Sequence, residues 1–234
     1  MASSYSTDLK IELMVTGENA GTWGTKTNDN LNLIQQAICG VDTVTITSTD
    51  VTLAMSNSPT LSNARNAVLK LSGTLSANVN VIVPAGIEKT YFVENNCTMS
   101  TFTLTFKTAS GTGVLLAQGN KYVLYSDGTN TNLISMQQIF RAVSANTTVQ
   151  PGAGLLVDTS GGAKTITLPA SPATGDFVSF IDAKYTFDTN ALTVGRNSSN
   201  ITNAAADLVV NTEGAGFTLV YSGDATVGWT YRDK

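Results

Sequence analysis

Three carboxylates, Asp176, Asp182 and Asp188, stand six residues apart in the C-terminal part of the chain. Sugar hydrolysis needs two carboxyl groups held about 5–9.5 Å apart across a glycosidic bond. Spacing along a chain does not set that distance. Asp176 follows Gly175 as turn residues do, and Asp182 suits the capping of a bend. Histidine is absent altogether. That removes the triad base, the usual imidazole acid or base and the commonest zinc ligand. No Ser or Cys stands in a nucleophile-elbow setting. The expectation is a chain that is not an enzyme, with no catalytic, cofactor-binding or metal site.

Other polar groups read the same way. Asp127, Asn130 and Asn132 resemble calcium ligands, but without a second carboxylate they fit a turn. Gly17, Gly21 and Gly24 surround Trp23 without Gly-x-Gly-x-x-Gly spacing, which points to a tight loop pinned by the indole rather than to a nucleotide site. Cys39 and Cys97 have no Cys-x-x-Cys partners and read as two buried thiols, with a disulfide as the alternative. Tyr91, Tyr122, Tyr125, Tyr185, Trp229 and Tyr231 are core or subunit contacts in one reading and a sugar platform in the other. In the second reading Tyr185 and Trp229 are the glycan candidates.

Charged residues make up 13% of the 234, about half the usual share, and Thr, Ser, Asn and Gly take their place. Such a chain favours strands and turns over exposed helices. A net charge of −4 with no Lys or Arg run argues against nucleic acid. The longest apolar stretches are about five residues, against about 20 for a membrane span, so no membrane insertion is expected.

These side chains must be positioned by mainly β structure. Leu9, Ile11, Leu13 and Val15 alternate with polar residues, the period of a half-buried strand. A short helix is expected from Asn28 to about Cys39, capped by Thr27 or Asn28 and ended by Gly40. Leu31, Ile34 and Ile38 share one of its faces. A helix of this length is marginal alone, so its stripe must dock, either on the protein's own sheet or on a second molecule.

The run Tyr5-Ser6-Thr7-Asp8-Leu9-Lys10-Ile11-Glu12-Leu13, with Thr16-Gly17-Glu18, Gly21-Thr22-Trp23-Gly24, Thr27-Asn28 and Asn30-Leu31, resembles the N-terminus of tail-fibre-like virion proteins of tailed bacteriophages. In that family such a segment fixes the fibre to the particle. The resemblance implies an anchoring arm over residues 1–40, with Trp23, Leu31, Ile34 and Ile38 as interface residues.

The remainder carries a pattern that occurs twice. Asn80-Val81-Ile82-Val83-Pro84-Ala85 corresponds to Thr165-Ile166-Thr167-Leu168-Pro169-Ala170. Tyr91–Val93 corresponds to Phe177–Phe180, Thr103–Thr105 to Leu192–Val194, and Tyr122–Tyr125 to Phe217–Tyr221. A repeat of about 85 residues reads as a small domain rather than a solenoid coil. Short strands at 8–12-residue spacing suggest a sandwich or small barrel. The expected fold is therefore two tandem, related β-sandwich-like modules, 41–135 and 146–234, behind the arm and one short helix. A linker at 136–145 is expected as a short helix or a strand, burying Phe140 on one module or packing about a fibre axis.

Thr167-Leu168-Pro169-Ala170-Ser171-Pro172, Gly175-Asp176, Phe180-Ile181-Asp182, Asn190–Val194, Leu208–Val210 and Leu219-Val220-Tyr221 with Gly228-Trp229 resemble a β-domain recurrent in phage fibres and tailspike tips. The family has Gly near Asn200, where this chain has the Ser198-Ser199 turn. Spikes of this kind that cut polysaccharide carry a long β-helix, for which a chain of this length is not expected to have room. The resemblance implies a structural tail-fibre or baseplate-associated protein made in the host cytoplasm and carried in the virion tail. Its implied partners are itself, as a homotrimer, and other tail or baseplate proteins. The alternative is an adhesin that binds a host surface glycan through the distal module.

Overall fold

In the computed structural model residues 3–233 are described. Met1 and Ala2 of the expected arm, and Lys234 of the expected second module, lie outside them. The chain divides into two units. Unit 1 holds 1–98, 104–115 and 121–137, and unit 2 holds 99–103, 116–120 and 138–234.

Unit 1 opens with a two-stranded hairpin, β1 (Ser4–Tyr5) against β2 (Glu12–Leu13). The helix α1 (Trp23–Cys39) follows. Then come β3 (Val41–Thr45), β4 (Val51–Thr52), β5 (Val68–Thr74), β6 (Val79–Val83), β7 (Glu88–Thr98), β8 (Leu104–Thr108), β9 (Gly113–Leu115), β10 (Lys121–Asp127) and β11 (Thr131–Gln137). The strands do not form a sandwich of hairpins. Strands β3, β5 and β7 stack in parallel, and so do β4, β6 and β8. The chain therefore runs through one sheet, turns, runs through the other, and returns one layer on. Val41 pairs with Val68 and Val68 with Phe92, a period of roughly 25 residues that falls in the solenoid range. Antiparallel strands close the third turn: β9 on β8, then β10 on β7 and β11 on β10.

Unit 2 repeats this plan. Its strands are β12 (Phe140–Val143), β13 (Thr147–Thr148), β14 (Gly154–Val157), β15 (Lys164–Thr167), β16 (Phe177–Asp182), β17 (Leu192–Gly195), β18 (Leu208–Val210), β19 (Gly216–Tyr221) and β20 (Trp229–Asp233). Strands β12, β14 and β16 stack in parallel, as do β13, β15 and β17. Strand β18 closes one sheet, and β19 with β20 the other. Each unit thus has a five-stranded and a four-stranded sheet in the same order. Pro84 and Pro169 both stand just after the second strand of their four-stranded sheets, β6 and β15.

The sandwich expectation is thus corrected: the fold is a β-solenoid, with three turns in each unit. The reason is physical. Alternation tells which side chains face inward, and it reads the same whether the neighbouring strand runs parallel or antiparallel. Val79, Val81 and Val83 on β6 and Leu104 and Phe106 on β8 point into the core of unit 1. Ile166, Val194, Leu155 and Phe180 do the same in unit 2. Ser126-Asp127-Gly128 leads into the hairpin that joins antiparallel β10 and β11, with Gly128 at φ 83°. Within 136–145, residues 136–137 belong to β11 and 140–143 to β12, and Phe140 remains partly exposed.

One glycine shows how closely the turns approach. Gly73 has φ 142°, and a Cβ there would overlap the Ile46 carbonyl oxygen on the preceding turn. Replacing it forces that turn away. Gly73→Ala is expected to destabilise the protein by more than about 2 kcal/mol, measured by urea unfolding. Gly161→Ala, where nothing lies within 4 Å, is the control and should stay within about 0.5 kcal/mol of the parent.

Candidate interaction surface

The N-terminal arm is fixed by polar contacts rather than by its apolar alternation. Glu12 is buried while Leu13 beside it is exposed, the reverse of a half-buried strand with Leu13 inside. Asn30 on α1 explains the reversal. Its carboxamide accepts from the Glu12 N–H at 2.9 Å and donates to the Glu12 carbonyl at 2.8 Å, as a neighbouring strand would. The Lys26 ammonium lies 3.0 Å from the Glu12 carboxylate and holds that carboxyl below its ordinary range. Further along, the Ser58 N–H donates to the Lys10 carbonyl, and the Glu88 N–H donates to Asp8 at 2.9 Å.

Arg65 is the centre of this arrangement, and no sequence pattern pointed to it. It ends a short 3-10 turn, Asn63–Arg65, and is fully buried. Its guanidinium donates to the Leu9 carbonyl of the arm at 3.1 Å and to the Thr60 carbonyl at 2.8 Å. It also donates to the Gln36 side chain on α1 at 3.3 Å and to the Ser56 carbonyl. A planar five-donor fork can satisfy such a set of acceptors where Lys cannot. Burial pushes the Arg65 pKa down, yet the carbonyls around it replace the water it has lost. Arm, loop and helix are tied through one side chain.

The helix is longer than its pattern suggested. It begins at Trp23, with Thr22 at the cap making no side-chain capping bond, and Thr27 instead donates back to the Trp23 carbonyl at 2.9 Å. Trp23 is therefore on the first turn of the helix, and its ring does not pin the glycine loop. Gly40 ends the helix in extended conformation, its N–H bonded to the Gln36 carbonyl at 2.8 Å.

Leu33 is the fully buried helix residue. It shares its side with Lys26, Asn30 and Ala37, which all face inward at least in part. The expected interface residues fall on another side. Trp23, Leu31, Ile34 and Ile38, with Thr27 between, are spaced by four or three and form one stripe. Trp23 is 65% exposed, Leu31 56% and Ile38 69%, while Ile34 at the stripe's border is half-buried. Val41 and Leu61 in the same unit are also exposed. The helix is anchored by a largely polar side and presents an apolar one. That combination marks interaction surfaces rather than scattered exposed residues.

Of the three unit 2 carboxylates in that series, Asp182 and Asp176 hold turns of the fold. Asp182 is buried and accepts backbone N–H bonds from Lys184, Thr186, Phe187 and Gly214 at 3.1–3.3 Å. Burial pushes its pKa up, but those four donors outweigh it and hold the carboxyl below the usual range. Asp176 accepts the Ala173 N–H at 2.8 Å within its turn, and burial pushes its carboxyl up. Asp188 is exposed. Asp127 receives the N–H groups of Thr129 and Asn130 at 2.9 and 2.6 Å and the Asn132 carboxamide at 3.2 Å, which is an Asx turn. Among the described residues no group of three or more acidic or Cys side chains is placed to hold a metal ion.

Both cysteines are free thiols. Cys97 is buried, and burial pushes its pKa up to about 11, whereas Cys39 is exposed rather than buried. The two glycan candidates separate. Trp229 is fully buried, packed 5.6 Å from the Tyr221 ring, and presents no face to a ligand. Tyr185 is 68% exposed at φ 54°, an unusual backbone for an aromatic residue. No helix among the described residues is long and apolar enough to cross a membrane.

No family model matches the chain, and no curated protein matches it. Among solved structures, one described as "Structure of a chaperone-substrate complex" is similar at 15% identity and a TM-score of 0.37. The alignment covers 71% of this chain and 29% of that one, so the chain spans under a third of that protein's length.

Arg65→Met keeps most of the side chain's volume but leaves the Leu9, Thr60 and Ser56 carbonyls without their donor. A loss of about 3 kcal/mol or more is expected. Limited trypsin digestion should then cleave after Lys10 much faster than in the parent, while the strands of unit 1 stay resistant.

Proposed function

We propose that the chain is a structural component of a bacteriophage virion, a tail-fibre or baseplate-associated fibre protein attached through its N-terminal arm and helix. The observation that carries this reading is the apolar stripe of Trp23, Leu31 and Ile38, exposed on a helix whose other side is locked in place. A helix of 17 residues that needs docking for stability, yet keeps its main apolar residues in water, is built to receive a partner. The N-terminal resemblance supplies the partner class: another tail or baseplate protein, or further copies of the chain in a homotrimer. Solenoid turns suit a shaft, since each turn is supported by its neighbours.

A second reading, a surface-glycan adhesin acting through unit 2, is favoured by the exposed Tyr185 at positive φ. Residues held in sparsely populated backbone regions cluster at ligand sites.

The anchoring reading is tested with Leu31→Lys/Ile38→Lys. Both positions are exposed, so the melting temperature should move by less than about 2 °C. Virions assembled with the variant should lack the chain, and sedimentation of the parent protein should give three times the 24.5 kDa chain mass. Normal incorporation of the variant would overturn the anchoring role, and a monomer would overturn the trimer.

A further inference from the structure

The duplicated plan provides an internal comparison. The loop that follows β9 begins with Leu116 and Ala117, both buried and both counted with unit 2. In unit 2 the corresponding loop, between β18 and β19, begins with Asn211 and Thr212, both exposed. Where unit 2 carries these polar residues, a pocket of about 320 Å³ opens between the ends of its two sheets. Val210, Ala215, Phe217 and Tyr231 form its walls, and Asn211 and Thr212 its rim.

The pocket is built rather than incidental. The Phe217 ring is backed by Phe180, stacked at 4.9 Å, and meets Tyr231 edge-on at 5.8 Å. The rim loop is tied at several points. The Gly214 N–H donates to the buried Asp182 carboxylate at 3.1 Å, the Asp182 N–H donates to the Ala215 carbonyl at 2.9 Å, and the Ala215 N–H donates to the Thr212 carbonyl. A Cβ at Gly214 would come within 2.9 Å of the Tyr185 ring, but that ring is largely exposed and lines no part of the pocket.

We propose that this pocket binds a neutral saccharide ring. The volume falls at the lower end of the range for small-ligand sites, where apolar walls are combined with a few polar groups. No lining residue is charged, which disfavours an ionic ligand. A pyranose has an apolar face to lie against Tyr231, the half-buried ring of the wall, and hydroxyls to meet one carboxamide and one hydroxyl at the rim. The proposal deepens the second reading above by moving the contact from Tyr185 and Trp229 to the pocket beside them.

The experiment is ligand-observed NMR on the full chain with glucose, galactose, mannose and N-acetylglucosamine, using glucuronic acid as a charged comparison. Asn211→Ala/Thr212→Val changes two exposed residues, and thermal melting should show the fold unchanged. The expected result is saturable binding of at least one neutral sugar, weakened about tenfold or more in that variant by the loss of two hydrogen bonds and kept in Tyr185→Ala. Binding lost in Tyr185→Ala but kept in the pocket variant overturns the pocket and leaves the adhesin reading standing. No binding of any sugar to the parent overturns both. Equal binding of glucuronic acid, or binding of cyclohexanol without any sugar, overturns the ligand class.

Discussion

The structure depends on keeping one phase from turn to turn. In a parallel stack every residue meets its counterpart one layer away, so inward positions must stay inward through all three turns of a unit. Val44, Leu71 and Asn95 form one such row, and Val157 and Asp182 occupy the matching places in unit 2. A slip of one residue would turn each apolar row to solvent and each polar row to the core. The glycines at close approaches and the Asx turns at the corners hold that phase, since no covalent link does so.

Against that regular background the polar residues inside stand out. Asn95 and Asp182 take equivalent inward positions and both accept backbone N–H groups, Asn95 from Cys97 within its own strand and Asp182 from the loops beyond the end of β16. Arg65 performs the opposite task and gathers carbonyls that would otherwise lack donors. Arg65 and Asp182 fix loops, and they explain why a chain so poor in charge keeps some of its charges buried. The helix follows from the same logic. Because Asn30, Lys26 and Gln36 hold it through polar contacts, its apolar stripe is left free.

Much of this was legible in the sequence. The correspondence of Pro84 with Pro169 marked two related units, and the two units do share one strand order. The direction of pairing was not legible, because alternation is blind to it and the short connections resembled hairpins. The helix's existence could be read, but its first turn could not, since Gly21 and Gly24 around Trp23 favour a loop and docking through Asn30 overrides that preference. Buried Glu12 and Arg65 were out of reach, as charged residues are solvated by default and only their partners reveal otherwise. The aromatic residues were ambiguous for a plainer reason: Trp229 and Tyr185 belong to one chemical class, and only the fold decides that one is core and the other surface.

All of this rests on turns stacked in parallel and in register. Thr165 and Thr193 are Cα partners on adjacent turns of unit 2, whereas Thr165 and Gly195 are offset by two residues. In-register neighbours lie about 4.8 Å apart, within disulfide reach, and the offset pair lies beyond it. In a Cys39→Ser background, mild oxidation of Thr165→Cys/Thr193→Cys should close an intramolecular disulfide, and Thr165→Cys/Gly195→Cys should stay reduced. Closure of the offset pair, or of neither, would contradict the solenoid.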